Sequence, residues 1–64
     1  MRFAIKEERQ KAGLTQTELS RLSGVAQGKI SEYEAGTSLP RVDSALKIAK
    51  ALNKKVDDLL EEVS

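Results

Sequence analysis

The stretch QTELSRLSGVAQGKISEYEAG, residues 16–36, decides how this chain folds. Thr15-Gln16-Thr17-Glu18 reads as a capping box, with Thr15 capping a helix and Glu18 reaching back to the free amide of the cap. Leu19 and Leu22 are expected to face inward, and Gly24 to end that helix. A second helix is expected over about 26–34, with Ile30 and Tyr33 on its inner face and Ala35-Gly36 marking its end. Two short helices separated by a turn that holds a glycine are the sequence form of a helix-turn-helix. If Leu19 and Leu22 meet Val25, Ile30 and Tyr33, the angle between the helices is set. The outward face, Gln27, Gly28, Lys29, Ser31 and Glu32, is then left short and polar, suited to base edges in a groove wide enough for one helix.

Outward from this stretch, residues 2–12 read as a first helix, with Ile5, Arg9 and Ala12 on one stripe and Gly13 as the stop. Thr37-Ser38-Leu39-Pro40 is a loop, because proline disfavours helix in the residue before it. Val42, Ala45, Leu46, Ala49 and Leu52 then follow the helical period, with Asp43 in the first turn, where the helix dipole favours a carboxylate. Asn53 breaks that helix, and Val56, Leu59 and Leu60 predict a short fifth one. The expectation is an all-α, compact five-helix bundle, a single domain over 1–64.

A chain of 64 residues buries only about 60% of its unfolded surface, so its stability is expected to be modest. It has no cysteine and no histidine, so neither disulfides nor the usual zinc ligands support it, and no metal or cofactor is expected. No apolar run approaches the roughly 18 residues that span a bilayer. The N-terminus does not continue into a signal-peptide core, and the chain reads as cytoplasmic. The net charge is only +1, with seven bases against five acids through Arg41 and four against five after it. A face for nucleic acid is therefore expected in the first two-thirds of the chain. Enzyme chemistry has no support: there is no nucleophile–base pair and no glycine loop for phosphates. Glu7-Glu8 and Glu61-Glu62 are expected to be solvated.

Leu14-Thr15-Gln16, Glu18-Leu19, Gly24-Val25, Gln27, Ile30-Ser31, Glu34, Gly36 and Pro40 stand in the order of a known pattern. Together they resemble the phage repressor/Cro-like helix-turn-helix family, the xenobiotic-response-element type. Residues 46–52 and 56–60 look like that family's fourth and fifth helices, so the likeness covers nearly the whole chain. It implies a DNA-binding transcriptional regulator, a repressor by its likeness, and not an enzyme. Gln16 resembles the glutamine that anchors to a phosphate, and Gln27 the main base-reading residue. Arg41 matches a basic position that in some members reaches the minor groove. Thr17, Gly28, Lys29, Ser31, Glu32 and Thr37 complete the set that the likeness places against double-stranded DNA. Arg9 and Glu34 match an ion pair between helices 1 and 3.

The chain departs from the pattern at four places. Ala26 stands where a Ser or Thr cap is usual, a loss of about 1 kcal/mol. Glu8 replaces a leucine, which predicts looser packing of helix 1. Glu32 replaces a position that is often basic, and Gly28 removes a side chain from the recognition face. The likeness also implies a homodimer on a pseudo-palindromic site, since relatives pair two domains about one helical turn apart. The competing reading keeps the fold but makes it a protein-interaction module, such as the antitoxin of a toxin–antitoxin pair. Only Glu61–Ser64 follow the fifth helix, which offers little for binding a toxin. Leu59, Leu60 and Val63 read as core or as an apolar edge for pairing.

Overall fold

Helix starts and stops follow local chemistry closely. The structure, a computed structural model, describes residues 2–61. In chain order it contains β1 (Arg2–Phe3), α1 (Ile5–Lys11), α2 (Gln16–Ser23), α3 (Gln27–Ala35), α4 (Val42–Ala51), α5 (Val56–Leu59) and β2 (Leu60–Glu61). The fold is all-α, with a two-residue antiparallel ladder joining its ends: Arg2 pairs with Glu61 and Phe3 with Leu60.

That ladder departs from the expected first helix over 2–12. The Ala4 N–H donates to the Leu59 carbonyl at 2.6 Å, so the first residues bond to the end of the chain and helix begins only at Ile5. α1 then starts at Ala4 with no side-chain cap. Phe3, half-buried, packs against the core.

The core is built from Ile5, Leu19, Val25, Ile30, Ile48, Ala49, Leu52 and Leu59, with Phe3, Leu14, Tyr33, Ala51 and Val56 packed against it. One residue in the expected stripe of α1, Ala12, is exposed. Glu7 and Glu8 are half-buried rather than solvated: the Glu8 side chain is 15% exposed and sits 3.7 Å from Lys11 Nζ.

Two expected inward stripes are displaced. Leu22 is 58% exposed. The inner side of α2 runs instead through Gln16, Leu19, Ser20 and Ser23, none of them exposed. The two serines are held by the following turn. Ser20 Oγ donates to the Val25 carbonyl at 2.6 Å, and Ser23 Oγ accepts the Val25 N–H at 3.1 Å. In α4 the buried stripe is Ala45, Ile48, Ala49 and Leu52, a run at i, i+3, i+4 and i+7. Leu46 lies about 100° around the helix from Ala45, and it is 55% exposed, while Val42 is 76% exposed. Leu59 is fully buried and Leu60 half-buried, whereas Val63 and Glu62 lie outside the described residues.

Candidate nucleic-acid interface

The start of α2 is fixed by the expected capping box. The Glu18 N–H donates to Thr15 Oγ1 at 3.1 Å, and Glu18 Oε1 accepts the Thr15 N–H at 2.9 Å. The bond from the Thr15 backbone, joined by that with its hydroxyl, holds the Glu18 carboxyl below the usual range. Capping uses the Glu18 amide but leaves those of Gln16 and Thr17 without intrahelical partners, as at any helix start.

Gly24 ends α2 in the left-handed region, at φ 77°, and its N–H donates to the Ser20 carbonyl at 2.9 Å. Most residues with a side chain are strained there, which is why the turn carries glycine. The three-residue turn over 24–26 then leads into α3. Ala26 has extended backbone and no side chain to cap with, as its identity requires. α3 closes at Gly36.

What sets α3 against α1 and α2 is a polar network around Glu34. Arg9 Nε donates to Glu34 Oε2 at 2.8 Å and Arg9 Nη2 donates to Oε1 at 3.0 Å, a forked pair. Arg9 Nη1 donates to the Leu14 carbonyl at 2.7 Å, and Gln16 Nε2 donates to Glu34 Oε1 at 3.1 Å. The Arg9 and Glu34 side chains are 11% and 5% exposed. Burial pushes the Glu34 carboxyl up. The bonds from Arg9 and Gln16, with the charges of Arg9 and Lys6, outweigh it, and the net shift is downward. The bonds that Arg9 donates to Glu34 raise Arg9 above its ordinary value. One carboxylate thus ties the first helix and both helices of the motif together.

Of the residues singled out in the sequence, Thr17, Gln27, Gly28, Lys29, Ser31, Glu32, Thr37 and Arg41 are exposed. Gln16 is half-buried, with its amide nitrogen engaged on Glu34. Gln27, Gly28 and Ser31 share one side of α3 at i, i+1 and i+4, open to solvent. Gly28 has ordinary helical backbone, and a Cβ added there meets nothing within 4 Å. Lys29 Nζ lies 4.0 Å from Glu32 Oε1, so the acid leans toward its own helix's cation. Thr37 closes the end of α3, its N–H donating to the Glu32 carbonyl at 3.0 Å.

The structure also brings together groups that the sequence reading did not connect. Lys29, Arg41 and Lys47 line one polar concavity between the start of α3 and the first half of α4, with Tyr33, Ser44 and Asp43. Asp43 Oδ1 accepts the Ser44 N–H at 2.9 Å. Lys47 was missed because the count of basic residues placed the face before α4. No sequence spacing signals it, because six residues along a helix turn through about 240° and only the fold brings Lys47 beside Lys29 and Arg41.

The fold and this exposed polar helix define a helix-turn-helix protein. The chain belongs to the Cro/C1-type helix-turn-helix family, whose model matches residues 5–59. It is thereby a DNA-binding domain of the transcriptional-regulator class, a family that is not enzymatic. It is 41% identical over 59 residues to an uncharacterized HTH-type transcriptional regulator of Archaeoglobus fulgidus, covering 92% of this chain and 84% of that protein. It is 39% identical over 62 residues to the HTH-type transcriptional regulator ImmR of Bacillus subtilis, covering 94% of this chain and 49% of that protein. Against the uncharacterized HTH-type transcriptional regulator YgzD, also of Bacillus subtilis, identity is 36% over 64 residues, 97% of each chain. No helix among the described residues is long and apolar enough to cross a membrane.

Proposed function

We propose that this chain, as one domain over 1–64, is a sequence-specific regulator that represses transcription in the cytoplasm. It binds a pseudo-palindromic double-stranded site as a homodimer, with α3 in the major groove. The observation that carries this reading is the open polar side of α3, Gln27, Gly28 and Ser31, on a helix whose orientation is set by Glu34. A buried and forked hydrogen-bond network around that carboxylate leaves few alternative orientations for α3, as reading base edges requires.

Roles follow from position. Gln27, in the first turn of α3, pairs with an adenine edge, for which a side-chain amide has two matching groups. The start of α2 takes a phosphate: the free amides of Gln16 and Thr17 point along the helix axis, and the second N–H of the Gln16 side chain remains available. Lys29, Arg41 and Lys47 neutralise the phosphates that flank α3, and Ser31, Glu32 and Thr37 contribute at its edges. The cytosine amino group is the donor that suits Glu32.

Selection of bound duplexes from a random pool tests this function. An enriched site with two related halves about one helical turn apart is the expected result. A pool that stays random would set the reading aside in favour of a protein partner.

A further inference from the structure

Away from α2 and α3, the second half of α4 and the start of α5 enclose an open surface groove. Its floor is apolar, formed by Leu46, Ala49 and Val56. Leu46 is 55% exposed, a large side chain that the bundle leaves in water. Its rim is basic: Lys50, Lys54 and Lys55, all exposed, with Asp57 as the acid that lines it. The neighbouring carboxylate of Asp58 is occupied in capping α5, where it accepts the Lys55 N–H at 3.1 Å. The ion pairs Arg9–Glu34, Lys11–Glu8 and Lys29–Glu32 all lie elsewhere, and none engages a rim lysine.

An apolar strip whose rim carries three lysines, none of them in an ion pair among the described residues, keeps a net positive edge against the aspartates Asp57 and Asp58. It is the complement of one kind of surface, a helix with a leucine-type stripe flanked by carboxylates. A second copy of this chain fits the groove poorly. Two identical rims set face to face would bring three lysines against three, with Asp57 and Asp58 on each side offsetting them only in part. A nucleic-acid backbone matches the lysines but gains nothing from covering Leu46 and Val56. We propose that this groove docks an acidic, amphipathic helical segment of another protein. No residue of α2 or α3 lines it, so the partner binds while the recognition helix stays free for DNA.

The test is amide chemical-shift mapping on the isotopically labelled full chain. The probes are a short synthetic helix with leucines at i, i+4 and i+7 flanked by glutamates, the same helix with lysines for the glutamates, and a random duplex. The acidic helix is expected to shift Leu46, Ala49, Lys50 and Val56 and to leave α3 unmoved. The Lys50→Glu, Lys54→Glu double variant, with its native spectrum retained, should bind it about tenfold more weakly. Four results would overturn the proposal. They are no shift at the groove with the acidic helix, equal shifts with the lysine helix, movement of the same residues by the duplex, or movement of those residues on concentrating the chain alone.

Discussion

Glutamines stand at the starts of α2 and α3, and the proposed function gives them two different kinds of contact with DNA. Gln27 is exposed and free to meet a base edge, whereas Gln16 is half-buried and already serves Glu34. Gln27→Ala should cost about 1–3 kcal/mol on the preferred duplex and relax the choice at one base pair per half-site. Gln16→Ala should weaken all duplexes alike, because a phosphate contact carries no sequence information. It should also lower stability by about 1 kcal/mol through the lost bond to Glu34. Competition titrations against substituted duplexes read both, and an unchanged base preference in Gln27→Ala would contradict the assignment.

The Arg9–Glu34 pair carries a stability prediction at the same scale. Arg9→Ala or Glu34→Ala should each cost about 3–5 kcal/mol, since either leaves a charge buried without its partner. The double variant should lose less than the sum of the two, which denaturant melts of the full cycle would measure. Acid adds a second signature. Glu34 is depressed below its ordinary value near 4.5, so the folded state binds a proton less readily than the unfolded one. Its contribution is therefore fully present above that ordinary value and is lost as pH falls through the depressed folded value. Glu34→Gln should flatten the acid limb of a stability-against-pH curve. Arg9 is raised from an already high value, and adds no dependence near neutrality.

At the scale of elements, most helix boundaries were readable because they rest on local chemistry. Thr15 with Glu18, Gly24, Gly36 and Asn53 each act within a few residues of the boundary they mark. Asn53 adopts φ 58° at the end of α4, the left-handed conformation that asparagine tolerates. The facing of the helices was less readable. Leu19 and Leu22 both fit a helical stripe, and only the serine bonds to Val25 show which edge of α2 turns inward. In α4, five apolar candidates concealed Ile48, which is fully buried, while Leu46 and Val42 stay in water. The β1–β2 ladder joins opposite ends of the chain, and no local pattern reports it. Ala26 offers a test of how much cap chemistry matters. Its backbone, φ −58° and ψ 139°, is extended as a cap residue's should be, so Ala26→Ser should stabilise the fold by about 1 kcal/mol. A thermal melt that shows no gain would mean that the hydroxyl finds no N–H at the start of α3.

For the whole molecule, the charge balance limits how DNA is bound. A net charge of +1 gives little long-range attraction, so under the proposed function binding rests on the local grouping of Lys29, Arg41 and Lys47. The candidate site was legible as far as the recognition helix, through its polar face and the capping box beside it. The place of Lys47 beside it was not, because only the fold brings α4 against the start of α3. If each domain neutralises about three or four phosphates, a dimer covers about six to eight, and log affinity should fall with log salt at a slope near −5 to −7. Binding should also be steep in protein concentration, because pairing of two domains is linked to occupancy of the site. The most direct measurement is a titration of the selected duplex and of random duplex at several salt concentrations. The account predicts that slope for both, with the selected site bound at least about a thousandfold more tightly. A chain that binds no duplex more tightly than random DNA, even at low salt, would contradict it.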